Sequence, residues 1–324
     1  NINQAVAVLR VKDDCSYTFI ASYLQAPATV KRILEMQVDA ARPNISLGNL
    51  RRFLIPLPPL PEQRSIATAL SDMDELLGGL DRLITKKRDL KQSAMQQLLT
   101  GKTRLPGFGE SKGYKQTEIG LIPEDWFIVA IGAITTLVTN GFVGKATDHY
   151  TNKDDGVTYI QGYNVEANSF NFNGIKKVTP AFHKVHQKSC LREDDLLMIQ
   201  TGEVGLTTIV PKSLVGSNCH ALIILRFNKD KIHPWFYAHY FNSSLGRLRL
   251  RDLEVGTTMM HINIGDLLPW EVPYPSNLIE QNAIALILSD MDTEIATLEQ
   301  RRNKTRDLKQ AMMQELLTGR IRLL

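Results

Sequence analysis

Apolar residues recur at alternating steps of four and three along two stretches of this 324-residue chain. In the first stretch they fall at Ile66, Leu70, Met73, Leu77, Leu80 and Ile84; in the second, at Ile284, Leu288, Met291, Ile295 and Leu298. That spacing predicts two long helices, each with a narrow seam suited to coiled-coil packing. Arg302 stands where the second copy would repeat Ile84. Beyond it the apolar positions shift to Leu90, Ala94 and Leu98 in one copy and to Leu308, Met312 and Leu316 in the other, as a stutter would shift them. Pro56, Pro58, Pro59 and Pro61 are expected to end a strand and restrict the helix start. Gly101 and Gly319 suit the left-handed position just past a helix end. A helix of about 40 residues spans about 60 Å. So long a seam needs a partner, and antiparallel packing of the two helices on each other supplies one. A globular module is then expected at each end of the rod.

The helices are also copies of one another. Glu62 to Leu105 reappears as Glu280 to Leu323 at a constant offset of 218 positions. Shared blocks include Glu62-Gln63 with Glu280-Gln281, Ser71-Asp72-Met73-Asp74 with Ser289-Asp290-Met291-Asp292, and Arg88-Asp89-Leu90-Lys91-Gln92 with Arg306-Asp307-Leu308-Lys309-Gln310. The match closes on Leu98-Leu99-Thr100-Gly101 and Leu316-Leu317-Thr318-Gly319. This period is far longer than a solenoid repeat and reads as a duplicated domain-plus-helix module. Upstream, Asn1 to Pro61 runs parallel to about Gly216 to Leu278, with Asn3-Gln4-Ala5 opposite Asn218-Cys219-His220 and Leu9-Arg10 opposite Leu225-Arg226. The expected organisation is therefore the C-terminal part of a first module over 1–58, a helix over 59–104, a second module over 105–275 and a second helix over 276–324. A first module equal to the second would need roughly 110 residues ahead of Asn1.

Between the helices, short apolar strands alternate with Gly, Asn and Asp turns. Strands are expected at Val157–Ile160, Asp195–Gln200, Thr207–Val210 and Ala221–Phe227, and helices at Pro234–Asn242 and about Leu245–Leu253. Asn140-Gly141, Asp155-Gly156 and Asn173-Gly174 mark turns. The fold class is α+β: a mixed module joined to two long helices that form an antiparallel coiled coil.

Composition narrows the class. A hydrophobic share of 43% and near-balanced charge describe an ordinary globular protein. No apolar run approaches the roughly 20 residues of a membrane helix, and no signal peptide is visible. Cys15, Cys190 and Cys219 are widely spaced, which points away from a zinc or disulfide framework and makes the cytoplasm the expected location. The net charge of +4 is not spread evenly: Lys115 to Pro275 holds 15 Lys and Arg against 16 Asp and Glu. Any nucleic-acid reading must rest on local patches.

Catalytic signatures are missing. Gly144-Lys145-Ala146 lacks the first Gly and the Ser or Thr of a phosphate-binding loop, and no GxGxxG, HExxH, GxSxG or adenine methyltransferase motif appears. His183 and His186 have no nearby Cys or third ligand, and read as surface or capping residues. Binding residues are the better candidates. Lys, Arg, Asn, Ser and Thr serve both phosphates and base edges. The candidates are Lys145, His149, Tyr150, Lys153, Tyr163, Asn164, Lys176, Lys177, Lys184, His186, Arg247 and Arg249, with Thr257, Thr258 and His261 in a turn before the last strand. Thr201-Gly202-Glu203-Val204-Gly205 follows a strand, where its glycines either let backbone approach a ligand closely or simply make a hairpin turn. The basic helix positions Lys86-Lys87-Arg88, Lys91, Arg301-Arg302, Lys304 and Arg306 are either solvated faces or a docking surface for other subunits.

These residues resemble a known family, the specificity subunits of type I restriction–modification systems. Thr117-Glu118-Ile119-Gly120-Leu121-Ile122-Pro123-Glu124-Asp125-Trp126 looks like the start of that family's target recognition domain. Pro58-Pro59-Leu60-Pro61-Glu62-Gln63 resembles the beginning of its conserved helix, and Leu98-Leu99-Thr100-Gly101-Lys102-Thr103-Arg104-Leu105 its end. Asp194-Asp195-Leu196-Leu197 through Gly205 fits its strand and Gly-x-x-Gly turn. The second helix start, Pro275-Ser276-Asn277-Leu278-Ile279-Glu280-Gln281, departs by lacking most of the prolines. The resemblance implies a non-catalytic subunit that reads a half-site of a bipartite double-stranded DNA target. It implies two docked methyltransferase subunits, further restriction subunits and no membrane. No cofactor is expected on this chain; S-adenosylmethionine, ATP and Mg belong to the partners. The competing readings are a structural adapter without DNA contact and an enzyme of unrecognised type.

Overall fold

The computed structural model describes residues 6–36, 45–109, 113–256 and 260–323. It divides into two compact units, Asn1–Lys86 with Glu294–Leu324 and Lys87–Thr293, so each long helix contributes to both. Those helices are Leu60–Leu98 and Leu278–Leu316, of 39 residues each. Gly101 (φ 69°) and Gly319 (φ 73°) take the left-handed conformation expected just beyond their ends.

In unit 1, Asp74 pairs with Lys309 and Asp81 with Arg302, so the helix segments run antiparallel. Their contact is apolar: Ile66, Ala67 and Leu70 pack with Met313, Leu316 and Leu317. Phe19, Ile20 and Tyr23 of helix Tyr17–Gln25 complete this core. Ser16 starts that helix by accepting from the Phe19 N–H. In unit 2, Lys91 pairs with Asp292, while Ile284, Ala285 and Leu288 pack with Met95, Leu98 and Leu99. Phe236, Tyr237 and Tyr240 close this core. Each unit thus builds its core from repeat-equivalent residues. Burying one such side chain contributes about 1.5–3 kcal/mol, so these apolar clusters outweigh the exposed ion pairs, worth about 0–1 kcal/mol each.

The expected seam holds to Ile84 and Leu298, all of whose members are buried or half-buried. Its continuation through Leu90 and Leu308 is corrected: these are 47% and 54% exposed. The buried position instead falls at Met95, eleven residues after Ile84, and at Met313, eleven after Arg302. Eleven residues close three turns, so the stutter returns the stripe to the same face and leaves Leu90 and Leu308 off it.

Unit 2 holds a four-stranded antiparallel sheet in the order Thr207–Ile209, Leu196–Ile199, Leu222–Phe227, Thr135–Asn140. A smaller sheet pairs Asn218–Cys219, Val157–Ile160 and Lys176–Val178. The strand expectations agree within a residue or two, and helix Pro234–Asn242 matches its expected bounds. The helix expected near Leu245 is Ser244–Leu250, tightening to a 3-10 turn over Arg251–Leu253. Asp195, fully buried, accepts twice from Arg226 at 2.7 Å and once from the Arg192 N–H at 2.8 Å, so its charge is satisfied. Asn140-Gly141 is not a turn: the Gly141 N–H donates to Leu222, and a Cβ there would lie 2.7 Å from the Cys219 carbonyl oxygen. Asn173-Gly174 does turn, with Gly174 at φ 68°.

Candidate nucleic-acid interface

Most predicted basic residues converge on the smaller sheet of unit 2. The register sets Lys176 opposite Tyr159 and Lys177 opposite Thr158. Residues 147–151 are stitched to the same strand: Tyr150 bridges to Val178, the Thr151 N–H donates to Lys177 at 3.0 Å, and the Thr179 N–H donates to His149 at 3.0 Å. Helix Pro180–Val185, capped by Thr179, then carries Lys184 outward. Gly156 lets the Lys153 turn press close, because a Cβ there would meet Lys177 Cβ at 3.1 Å. Lys145, His149, Tyr150, Lys153, Lys176, Lys177 and Lys184 therefore belong to one neighbourhood. Lys145 shares its charge with Asp148 at 3.2 Å, an exposed pair of small energetic weight.

Aromatic rings support this surface. Phe182 is buried and packs with His149 at 4.9 Å, His186 at 4.2 Å and Phe142 at 4.9 Å between centroids. His186 is half-buried here. His183 Nδ1 lies 3.2 Å from Asn218 Oδ1, so the two histidines three positions apart are engaged separately. Beneath them the Tyr159 hydroxyl is 3.0 Å from His220 Nδ1. Burial lowers the His220 pKa and raises that of Tyr159.

Other candidates separate. Tyr163 is exposed, and its hydroxyl donates to Gly174 at 2.8 Å. Asn164 is a correction: it is fully buried, accepting from Gln161 N–H at 3.1 Å and donating to Asn171 at 2.8 Å. It holds a turn and presents no edge to a ligand. Arg249 is also corrected. It donates to the Tyr240 hydroxyl and the Glu271 carbonyl at 2.7 and 2.8 Å, and lies over Trp270 at 4.7 Å. Its guanidinium is committed to packing.

A second group forms where Thr201 bridges to His261 and the Gln200 side chain donates to Ile262 at 3.1 Å. Gly202 is exposed at φ 92° with no atom near its Cβ position, so the turn conformation is what requires glycine. Gly205, at φ 80°, is approached by Leu250 at 2.9 Å and Arg247 Nη1 at 3.7 Å, which accounts for its close contact from within. Arg247 Nη1 is buried and has no hydrogen-bond partner among the described residues. Thr257 and Thr258 lie outside the described residues.

Reasoning from sequence missed a half-buried polar network around the fully buried His239. Asn168, at φ 61°, donates to Asp292 at 3.1 Å and meets His239 Nδ1 at 3.1 Å, while His239 Nε2 lies 3.1 Å from Ser289 Oγ. It also missed two matched helix clamps. Gln63 accepts from the Ser16 N–H and donates to Pro58, at 2.8 Å in both cases. Gln281 accepts from the His233 N–H at 2.9 Å and donates to Pro275 at 2.7 Å. The signal for the clamps was present in the repeated Glu-Gln pair.

The chain matches a family model described as the type I restriction modification DNA specificity domain, over residues 1–86 and 123–305. It is 30% identical to the type I restriction enzyme MjaX specificity subunit of Methanocaldococcus jannaschii, covering 86% of this chain and 62% of that one. Against the MjaVIII specificity subunit of the same organism the identity is 27%, over 86% and 65%. The chain thus spans under two thirds of the length of both relatives. In fold it resembles the crystal structure of the type I restriction–modification S subunit from M. genitalium, with a TM-score of 0.60, 17% identity and coverage of 94% and 73%. With long helices, a repeat-built core and a family match across most of its length, the chain belongs to the type I restriction–modification DNA specificity family.

Proposed function

We propose that this chain is a non-catalytic DNA-recognition subunit, reading one half of a bipartite target with the module in unit 2. The observation that carries the reading is the basic neighbourhood around strand Lys176–Val178, set on a module whose overall charge is near neutral. Lys153, Lys176 and Lys184 are exposed and suited to phosphates. Thr201 and His261, bridged to each other, supply polar groups suited to base edges.

The helices are proposed to dock methyltransferase subunits, two in number, with restriction subunits joining the complex; S-adenosylmethionine, ATP and Mg would be held by those partners. Duplicate grooves support the count. In unit 2, Gln92, Met95, Gln96, Leu99 and Thr100 line a 330 Å³ groove with Tyr240 and Ser243. In unit 1, Gln310, Met313, Gln314, Leu317 and Thr318 line a 390 Å³ groove with Tyr23 and Ala26. The five helix residues of each groove correspond one for one through the repeat, so one kind of partner element fits both.

The test is selection from a randomised duplex pool, across salt, with the chain in complex with its methyltransferase subunit. Enrichment of a short half-site motif supports the reading. Complex formation with no enrichment leaves only an adapter.

A further inference from the structure

In unit 2, the connection between strands Val157–Ile160 and Lys176–Val178 ends in a tight turn, Asn171-Phe172-Asn173-Gly174. Hydrogen bonds hold this turn on both sides. The Asn171 N–H donates to the Asn164 carbonyl at 2.9 Å, and the buried Asn164 side chain donates back to the Asn171 carbonyl at 2.8 Å. The Asn173 N–H donates to Asn171 Oδ1 at 3.0 Å, and the Ile175 N–H to the Phe172 carbonyl at 3.3 Å. Tyr163 closes the far edge: its hydroxyl donates to the Gly174 carbonyl at 2.8 Å and accepts from Gln161 Nε2 at 3.2 Å.

Apolar anchors act on the same turn. Phe170 before it and Ile175 after it pack against the core that contains Ile160, Leu197 and Ile224. Phe172 lies between these anchors yet is 53% exposed, with its ring stacked on Phe170 at 6.0 Å and 27°. A ring left half in water adds little to the fold. What the hydrogen bonds and anchors fix is its position.

The surroundings of the ring are polar and cationic. Asn171 and Asn173 flank it, exposed Lys176 stands two residues beyond Gly174, and Lys177 follows on the strand that carries the basic neighbourhood. A protein-docking patch is broader and more apolar than this. A single ring among amides and ammonium groups suits a DNA duplex: the lysines hold phosphates while the ring meets the apolar faces of bases. Because the turn is already rigid, the ring loses little conformational freedom on entering a base step.

We propose that Phe172 is a wedge residue whose ring inserts between adjacent base pairs of the bound duplex and opens that step. This role deepens the DNA-recognition reading and rests on it. The phenyl ring has no hydrogen-bonding group, so it selects sequence by how readily a step unstacks, favouring flexible pyrimidine–purine steps such as TA and CA. It thereby adds specificity where no polar side chain reads a base.

The test uses the chain in complex with its methyltransferase subunit and the duplex selected from the randomised pool. 2-Aminopurine is placed at successive positions of that duplex, and a donor and an acceptor dye at its ends. The native complex is expected to raise 2-aminopurine fluorescence at one step and to bring the ends closer. Phe172→Ala should abolish both signals and weaken binding about tenfold. The slope of log affinity against log salt should stay unchanged, because no charge is removed. Phe172→Leu, which keeps an apolar wedge, should retain the bend. Both substitutions fall at an exposed position, and unchanged melting curves show that the variants are folded. A fluorescence rise and bend that persist in Phe172→Ala, or that are absent from the native complex, overturn the wedge while leaving sequence recognition standing. Loss of methyltransferase copies from the Phe172→Ala complex in native mass spectrometry also overturns it, because the ring would then be a protein contact. If the native complex selects no motif, the recognition reading fails and the wedge with it.

Discussion

Lys309 Nζ lies 2.6 and 2.7 Å from the two carboxylate oxygens of Asp74, joining the two long helices in unit 1. The repeat builds the same pair from Lys91 and Asp292 in unit 2. Asp74 is 59% exposed and Asp292 32%, and only Asp292 also accepts from Asn168, at 3.1 Å. Asp74→Ala is expected to cost about 0.5 kcal/mol and Asp292→Ala about 1–2 kcal/mol. Denaturant unfolding of both variants checks the order. Equal costs would show that the surrounding network adds nothing to the pair.

The buried His239 is expected to contribute acid sensitivity. Burial, with Lys91 and His233 nearby, lowers its pKa to about 3, against a hydrogen bond with the Ala285 backbone that raises it. Its folded pKa lies below its unfolded one, so the unfolded chain binds the extra proton between them. Stability is complete above about pH 6.5 and falls as pH drops toward 3. About 2 kcal/mol should be lost between pH 6.5 and 5. His233 and His220, also lowered by burial, act in the same direction. Melting temperatures across this range should fall less steeply in His239→Gln.

Charge removal at the proposed interface should act through phosphates. Lys176→Ala and Lys184→Ala are each expected to reduce the slope of log affinity against log salt by about 0.9. Both side chains are exposed, so stability should move by no more than about 0.5 kcal/mol. Titrations at several salt concentrations read the slope directly, and an unchanged slope would place these lysines outside the contact.

The paired grooves predict partner stoichiometry. Gln96 and Gln314 are exposed equivalents on the two helices. Gln96→Arg and Gln314→Arg should each remove one methyltransferase copy from the complex, and the double variant both. Native mass spectrometry counts the copies. Two copies retained in the double variant would show that docking lies elsewhere.

Periodic and repeated features were the most legible. The seam through Ile66, Leu70 and Ile284, the left-handed glycines and the strands around Val157 and Leu222 all follow from local spacing. Leu90 and Leu308 misled because a run of apolar residues does not reveal a stutter's length. Asn164 and Arg249 misled because composition cannot distinguish a polar side chain that faces solvent from one spent on its own fold. Asn164 caps a buried turn, and Arg249 stacks on Trp270.

By itself the sequence determined the duplication, the two antiparallel-competent helices and the α+β character of the module, because helix and strand periods and a constant offset are properties of residue order. Only the tertiary structure decided that Lys176, His149 and Lys184 share a surface, that Asn168 meets Asp292, and that Glu62 and Arg322 flank an open groove while Glu280 and Arg104 enclose Trp126. Most of these pairs lie tens to hundreds of positions apart. Their meeting depends on how the strands and helices pack, which no local pattern encodes.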